Sequence, residues 1–177
     1  MSARPYKKQK ANAGQGQGGT RRNQQGARQG MSPAGTTTAV AEEKPEPREP
    51  VRIVGKDQFA VTDEDFAAKA EGILERGRDE GFWKLTTSKL RGIYSLIMNI
   101  RTRSNSEAEF DERKGDIQYL KVRMAYEAGR ESSVRQFLDA THLMALVDGV
   151  GTYEQFKLYC RYAEALVAYF KFFGGKD

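Results

Sequence analysis

Between residues 51 and 177 the apolar positions recur at helical spacing in five stretches, and no proline interrupts them. The first stretch opens with Thr62-Asp63-Glu64-Asp65. Thr62 is a candidate cap, Asp65 stands at the third helical position, and the acids suit the positive end of the helix dipole. Phe66, Ala70, Ile73 and Leu74 follow, with Gly72, Gly77 and Gly81 weakening the helix. The second begins at Thr86 or Thr87 and carries Leu90, Ile93, Tyr94, Ile97 and Ile100 on one stripe. Ser106 caps a third, whose core line is Phe110, Ile117, Leu120, Met124 and Ala128. Ser132 or Ser133 caps a fourth, with Val134, Phe137, Leu138, Thr141 and Ala145 inward and a stop at Gly149 and Gly151. Thr152 opens the fifth, which runs from Tyr153 to Phe173 and ends at Gly174-Gly175.

This last helix is apolar over most of its circumference. It is therefore either the centre of the bundle or half of an interface. Val51 to Val61 is a short mixed segment that reads as an arm or a strand-like lead-in, and nowhere does a two-residue alternation stand out. The expected fold is all-α: a compact bundle of about five helices, with short loops and a disordered N-terminal tail. Residues 1–58 are assigned to the tail and lead-in, and residues 59–177 to the helical domain.

Composition supports that division. All five prolines lie in the first 50 residues, which are otherwise rich in Gly, Gln, Arg, Ser and Thr. Such a segment buries too little apolar surface to offset its ordering entropy. It is either a solubilising extension or a non-specific contact for a phosphate backbone. Basic residues at the N-terminus lead into no apolar run, so no secretory signal is expected, and no stretch approaches a membrane span. One cysteine, Cys160, excludes an intrachain disulfide and fits a reducing, cytoplasmic setting.

Charge changes the picture more. The net charge of +5 belongs wholly to residues 1–50, which hold nine basic and four acidic side chains. Residues 51–177 balance at 20 of each, yet the signs are segregated along the chain. Residues 82–106 carry Lys84, Lys89, Arg91, Arg101 and Arg103 without a single acid, between two acidic stretches. On the second helix Arg91 shares a face with Ser88, Ser95, Asn99 and Thr102, while Lys89 stands roughly 160° away at 100° per residue. On the third, Tyr119, Arg123, Tyr126 and Arg130 follow one another at spacing 4, 3, 4 on one side.

The usual parts of an enzyme are missing. His142 is the only histidine, and its i, i+3 pairing with Asp139 lacks the second pair that a di-metal bundle requires. Cys160 lies on an apolar stripe and reads as a core thiol. No phosphate-binding glycine loop occurs. No cofactor is expected, and no catalytic residue is assigned. What remains is the basic and aromatic set: Lys89, Arg91, Arg101, Arg103, Lys121, Arg123 and Arg130. It reads as a solvated face paired with neighbouring acids, as a tyrosine–arginine protein interface, or as a groove that tracks a nucleic-acid backbone without reading bases.

Four segments carry a resemblance. Leu85-Thr-Thr-Ser-Lys-Leu-Arg91, Tyr119-Leu-Lys-Val-Arg123, Tyr126-Glu-Ala-Gly-Arg130 and, most specifically, the run from Tyr159 to Asp177 are similar to the small subunit of type III-A CRISPR–Cas effector complexes, the Csm complexes. The likeness covers about residues 62–177 and leaves the tail without a counterpart. It implies a small, all-helical, non-catalytic subunit present in several copies beside backbone subunits and a large subunit. It also implies contacts with target RNA and its duplex with the guide RNA, in antiviral defence. By position it points to Lys89, Arg91 and Arg130 as RNA contacts. Arg123 matches the pattern but also suits a structural part, whereas Arg101 and Arg103 rest on charge alone. Arg161 and Glu164 match the C-terminal block, where their spacing also suits a mutual ion pair. A rival reading is a purely structural spacer that binds neighbouring protein subunits.

Overall fold

A computed structural model describes residues 48–176. The expectations for the tail, its disorder and its phosphate contacts alike, fall on residues 1–47 and lie outside the described residues.

The described chain starts with a small antiparallel hairpin, β1 (Arg52–Val54) and β2 (Ala60–Thr62), in which Ile53 faces Val61. Both of these side chains are fully buried while their neighbours are more exposed. Three residues per strand are too few for alternation to show in the sequence. Residues 52–58, read with the rest of Val51–Val61 as an arm or a strand-like lead-in, contribute Ile53 to the core, and the 58/59 position falls in the hairpin's turn. That turn is closed by Gly55 N–H on the Phe59 carbonyl at 2.7 Å. Gly149 comes so close beneath β1 that a Cβ there would overlap the Val54 carbonyl oxygen.

Thr62 and Asp65 exchange backbone-to-side-chain bonds of 2.8 and 3.2 Å, but they do so ahead of α1 (Phe66–Asp79): the helix starts three residues later than expected, with Asp65 at the cap position instead of Thr62 and no acid in the first turn. Beyond α1 comes a left-handed turn. Gly81, Phe82, Trp83 and Lys84 all have φ between +51° and +63°. Such backbone costs an L-residue about 1–2 kcal/mol. Aromatic packing offsets this: Phe82 is buried against Phe170 at 4.8 Å, and Trp83 lies edge-on to Phe137 at 6.1 Å. Gly77 makes room for the indole; a Cβ there would stand 2.6 Å from it.

Thr86 caps α2 (Thr87–Arg101), in which Leu90, Ile93, Ile97 and Ile100 of the predicted stripe are buried and its fifth member, Tyr94, is half-buried. Thr87 is buried too, and both its N–H and its hydroxyl donate to the Lys176 carbonyl, which ties the C-terminus to the start of α2. The expected third helix is two: α3 (Glu107–Glu112), capped by Ser106, and α4 (Lys114–Arg130). They part at Arg113, where φ is −107°.

The fourth helix is also divided, into α5 (Ser132–Thr141) and α6 (Leu143–Leu146). His142 adopts φ +56° between them. Ser132 and Ser133 do not cap α5: Glu131 occupies the cap position and makes no side-chain cap bond, while Ser133 is buried inside the helix.

The last helix, α7 (Tyr153–Phe172), opens with a Thr152–Gln155 capping box and stops before Gly174 at φ +90°. It is the centre of the bundle, packed chiefly against α1 and α2. Phe156, Tyr159, Tyr162, Leu166 and Phe170 are fully buried. Two of them mend the break at His142. Tyr162 Oη donates to the Thr141 carbonyl at 2.8 Å, and Tyr159 Oη to the Leu143 carbonyl at 3.0 Å. Both phenols are pushed well above their usual pKa by burial.

Candidate nucleic-acid interface

The helical period places Lys89, Gly92 and Leu96 of α2 opposite Tyr119, Arg123 and Arg130 of α4, across a groove on the outside of the bundle, and the turn after α2 adds Arg103. The groove is formed by two adjoining clefts of about 290 and 330 Å³. Lys89, Arg123 and Arg130 line the first; Ser95, Asn99, Arg103 and Tyr119 line the second; Leu96 and Arg123 line both.

Four of the seven candidate cations therefore share one groove. Three of these are already engaged by carboxylates. Lys89 Nζ lies 2.7 Å from Glu131 Oε2, joining α2 to the start of α5, and its hydrogen bond holds the Glu131 carboxyl below its usual range. Arg103 Nη2 stands 3.7 Å from Asp116, and its Nε donates to the Asn99 carbonyl at 3.0 Å. Arg130 Nη1 stands 3.8 Å from Glu127, with its guanidinium 5.5 Å from the Tyr126 ring. Arg123 is exposed and makes no ion pair among the described residues.

The other three candidates lie elsewhere. Arg91 is exposed on the flank of α2 turned away from the groove and is likewise without an ion pair among the described residues. Arg101 is half-buried at the bundle end, where it donates to the Ser104 carbonyl at 2.9 Å and covers the Tyr153 ring at 5.6 Å. Lys121 reaches across to both carboxylate oxygens of Asp148, at 2.6 and 2.8 Å. These two cations hold elements together. Arg161 and Glu164 form no ion pair with each other.

Sequence reasoning missed the carboxylates of the groove. Glu127 sits three residues before Arg130, a signal that was available. Glu131 and Asp116 had no such signal, because their partners come from elsewhere in the chain, Lys89 on α2 and Arg103 in the turn after it. Tyr119 and Tyr126, more than half exposed, stand on the outer side of α4 beside Arg123, where their spacing put them.

A separate, larger cleft of about 550 Å³ contains His142. Its Nδ1 is 2.6 Å from Asp57 Oδ2 and its ring stacks on Phe59 at 4.2 Å, which pins the hairpin turn to the α5–α6 break. Cys160 is buried, and that burial pushes its thiol up to about 12. Among the described residues no group of His, Cys, Asp and Glu is arranged to hold a metal, and no helix is long and apolar enough to cross a membrane.

A family model described as Csm2 Type III-A matches residues 65–176, the stretch from the cap of α1 past the end of α7. The chain belongs to the Csm2 type III-A family. This is the family of small Csm subunits to which the four sequence segments pointed, and all seven candidate cations fall inside the match. The chain is similar to the CRISPR system Cms protein Csm2 of Streptococcus thermophilus, 41% identical over 120 residues, which cover 66% of this chain and 98% of that one. It is 44% identical to the protein of the same description from Enterococcus italicus over 106 residues, or 55% and 76% of the two chains. For the Mycobacterium tuberculosis counterpart the identity is 33% over 123 residues, 67% and 99%.

Proposed function

We propose that this Csm2-family chain is a non-catalytic RNA-binding small subunit of a type III-A CRISPR ribonucleoprotein. In that role it contacts the target RNA and the guide–target duplex and supports assembly of the filament, beside backbone and large subunits and further copies of itself. The observation that carries this reading is the convergence of Lys89, Arg103, Arg123 and Arg130 on one groove, with Arg123 uncompensated at its middle. A phosphate entering there meets one free guanidinium and exchanges carboxylate partners at the other three. The contact of a single copy is therefore weak, and repetition along a filament multiplies it. Arg91, free on the opposite flank, serves a second neighbour.

The test is RNA binding by the assembled complex as a function of salt. Each phosphate contact contributes roughly 0.7–0.9 to the slope of log K against log salt. Arg123→Ala should flatten that slope and weaken binding to all sequences alike. Unchanged affinity and slope, in a complex of normal composition, would remove Arg123 from the interface.

The structural spacer is favoured by one specific observation. At the end of α7, Phe172 is 76% exposed beside Phe173 and Tyr169, an aromatic tip of the kind that protein neighbours cover. Its discriminator is subunit count: Phe172→Ser would lower the number of copies per complex while leaving RNA affinity per copy unchanged.

A further inference from the structure

Resting on the RNA-binding reading, we infer that α4 takes its RNA as an unpaired strand, with Tyr119 and Tyr126 as stacking platforms for bases and Arg123 on the phosphate between them. Charge is the first ground. The groove sets four cations against the three carboxylates of Asp116, Glu127 and Glu131. A net of one positive charge is too little for binding by the backbone alone, because releasing counterions requires cations that are not already neutralised. The second ground is aromatic surface. Tyr119 and Tyr126 are 58% and 59% exposed. Neither phenol is hydrogen-bonded among the described residues, and the one ring contact is the Arg130 guanidinium over the Tyr126 ring at 5.5 Å, which leaves the opposite face open.

Geometry supplies the third ground. Seven residues along α4 separate the rings by two helical turns, about 10.5 Å at 1.5 Å per residue. That span is about three times the ~3.4 Å between neighbouring bases stacked in a duplex, so two bases stacked on each other cannot reach both rings. The two rings therefore take non-adjacent bases, and Arg123, between them in sequence and unpaired, faces the intervening backbone. Arg130, 5.5 Å from the Tyr126 ring, closes one end. Ser95 and Asn99 of α2 form a small polar wall opposite Tyr119 and leave room for a flat group. A duplex has no base faces to offer along its length, whereas an unpaired strand does, and stacking tolerates any sequence.

The experiment uses the full chain at low salt with a mixed-sequence 20-nucleotide RNA, free or annealed to its complement, with 2-aminopurine at internal positions. The Tyr119→Leu, Tyr126→Leu double variant keeps apolar bulk and removes the aromatic faces. Both positions are exposed, and a thermal melt verifies that the variant is folded. The expected result is a loss of about tenfold or more in single-strand affinity, with duplex affinity within about twofold and the 2-aminopurine quenching abolished. Equal losses on both RNAs, or no loss on either while Arg123→Ala still weakens binding, would overturn the stacking assignment alone. A wild-type protein that binds neither RNA, as the free chain and in the assembled complex alike, would overturn the parent reading with it. A variant that keeps its RNA affinity and loses a protein neighbour from the complex would assign the ridge to protein contact.

Discussion

Tyr162→Phe isolates a single hydrogen bond at the point where the bundle is most dependent on tertiary structure. The Tyr162 ring is fully buried, and its hydroxyl donates to the Thr141 carbonyl at 2.8 Å, where the α5 ladder is cut by the left-handed His142. Phenylalanine keeps the ring and its packing. What disappears is the donor, so a buried carbonyl at a helix end is left without that partner. A buried group stranded in this way costs about 1–3 kcal/mol, well above the net worth of an ordinary exchanged bond. For a domain of this size each kcal/mol lowers the melting temperature by roughly 3–5 °C. The expected loss is therefore about 1–3 kcal/mol in urea unfolding, at unchanged slope, with a fall of about 3–15 °C in Tm.

Tyr159→Phe makes a companion. Its hydroxyl donates to the Leu143 carbonyl, two residues beyond Thr141 at the same break. The two losses should be non-additive, because once the break relaxes after the first substitution the second donor has less to hold. A destabilisation by Tyr162→Phe below about 0.3 kcal/mol would refute the reasoning, since an unfilled buried carbonyl cannot be that cheap.

Lys84→Gly should stabilise the protein by about 0.5–1 kcal/mol, because the exposed lysine sits at φ +59° and gives up little packing; differential scanning calorimetry reads the sign. Gly149→Ala should destabilise by more than about 2 kcal/mol, because its methyl group overlaps β1 backbone that cannot move without opening the hairpin. For Asp57, burial raises the carboxyl's pKa, but the hydrogen bonds from His142 and from Phe59 N–H outweigh it and leave it lowered. A lowered folded pKa gives stability that is present above the unfolded value of 3.8 and lost as pH falls through the folded one. The advantage of wild type over Asp57→Asn in urea unfolding should accordingly be full at pH 6 and shrink below about pH 4. Cys160, buried with its thiol pushed up to about 12, should resist a thiol reagent at pH 8 until denaturant is added.

Helix positions were legible where a stripe and a cap agreed. The α2 stripe, the Ser106 cap and the Thr152 capping box are local, each set by residues within one or two turns. The break at His142 was not, because its compensation comes from Tyr159 and Tyr162, 16 and 21 residues away from the carbonyls they serve. Nor was the left-handed turn at Gly81–Lys84, which local preference opposes and the Phe170 and Phe137 contacts impose.

The candidate site divides in the same way. Spacing alone separated Lys89 from Arg91 and set Tyr119, Arg123, Tyr126 and Arg130 on one side of a helix, because a fixed 100° per residue fixes those directions. The sequence by itself determined a predominantly helical body, the faces of its main helices and the cations available for an acidic partner. Only the tertiary structure decided which cations are free. Neutralisation depends on charges within a few ångströms in space, and a sequence orders residues in one dimension only. Thus Glu131 quenches Lys89 from 42 residues away and Asp148 holds Lys121 from 27, while Arg123, in the middle of the groove, is left unpaired.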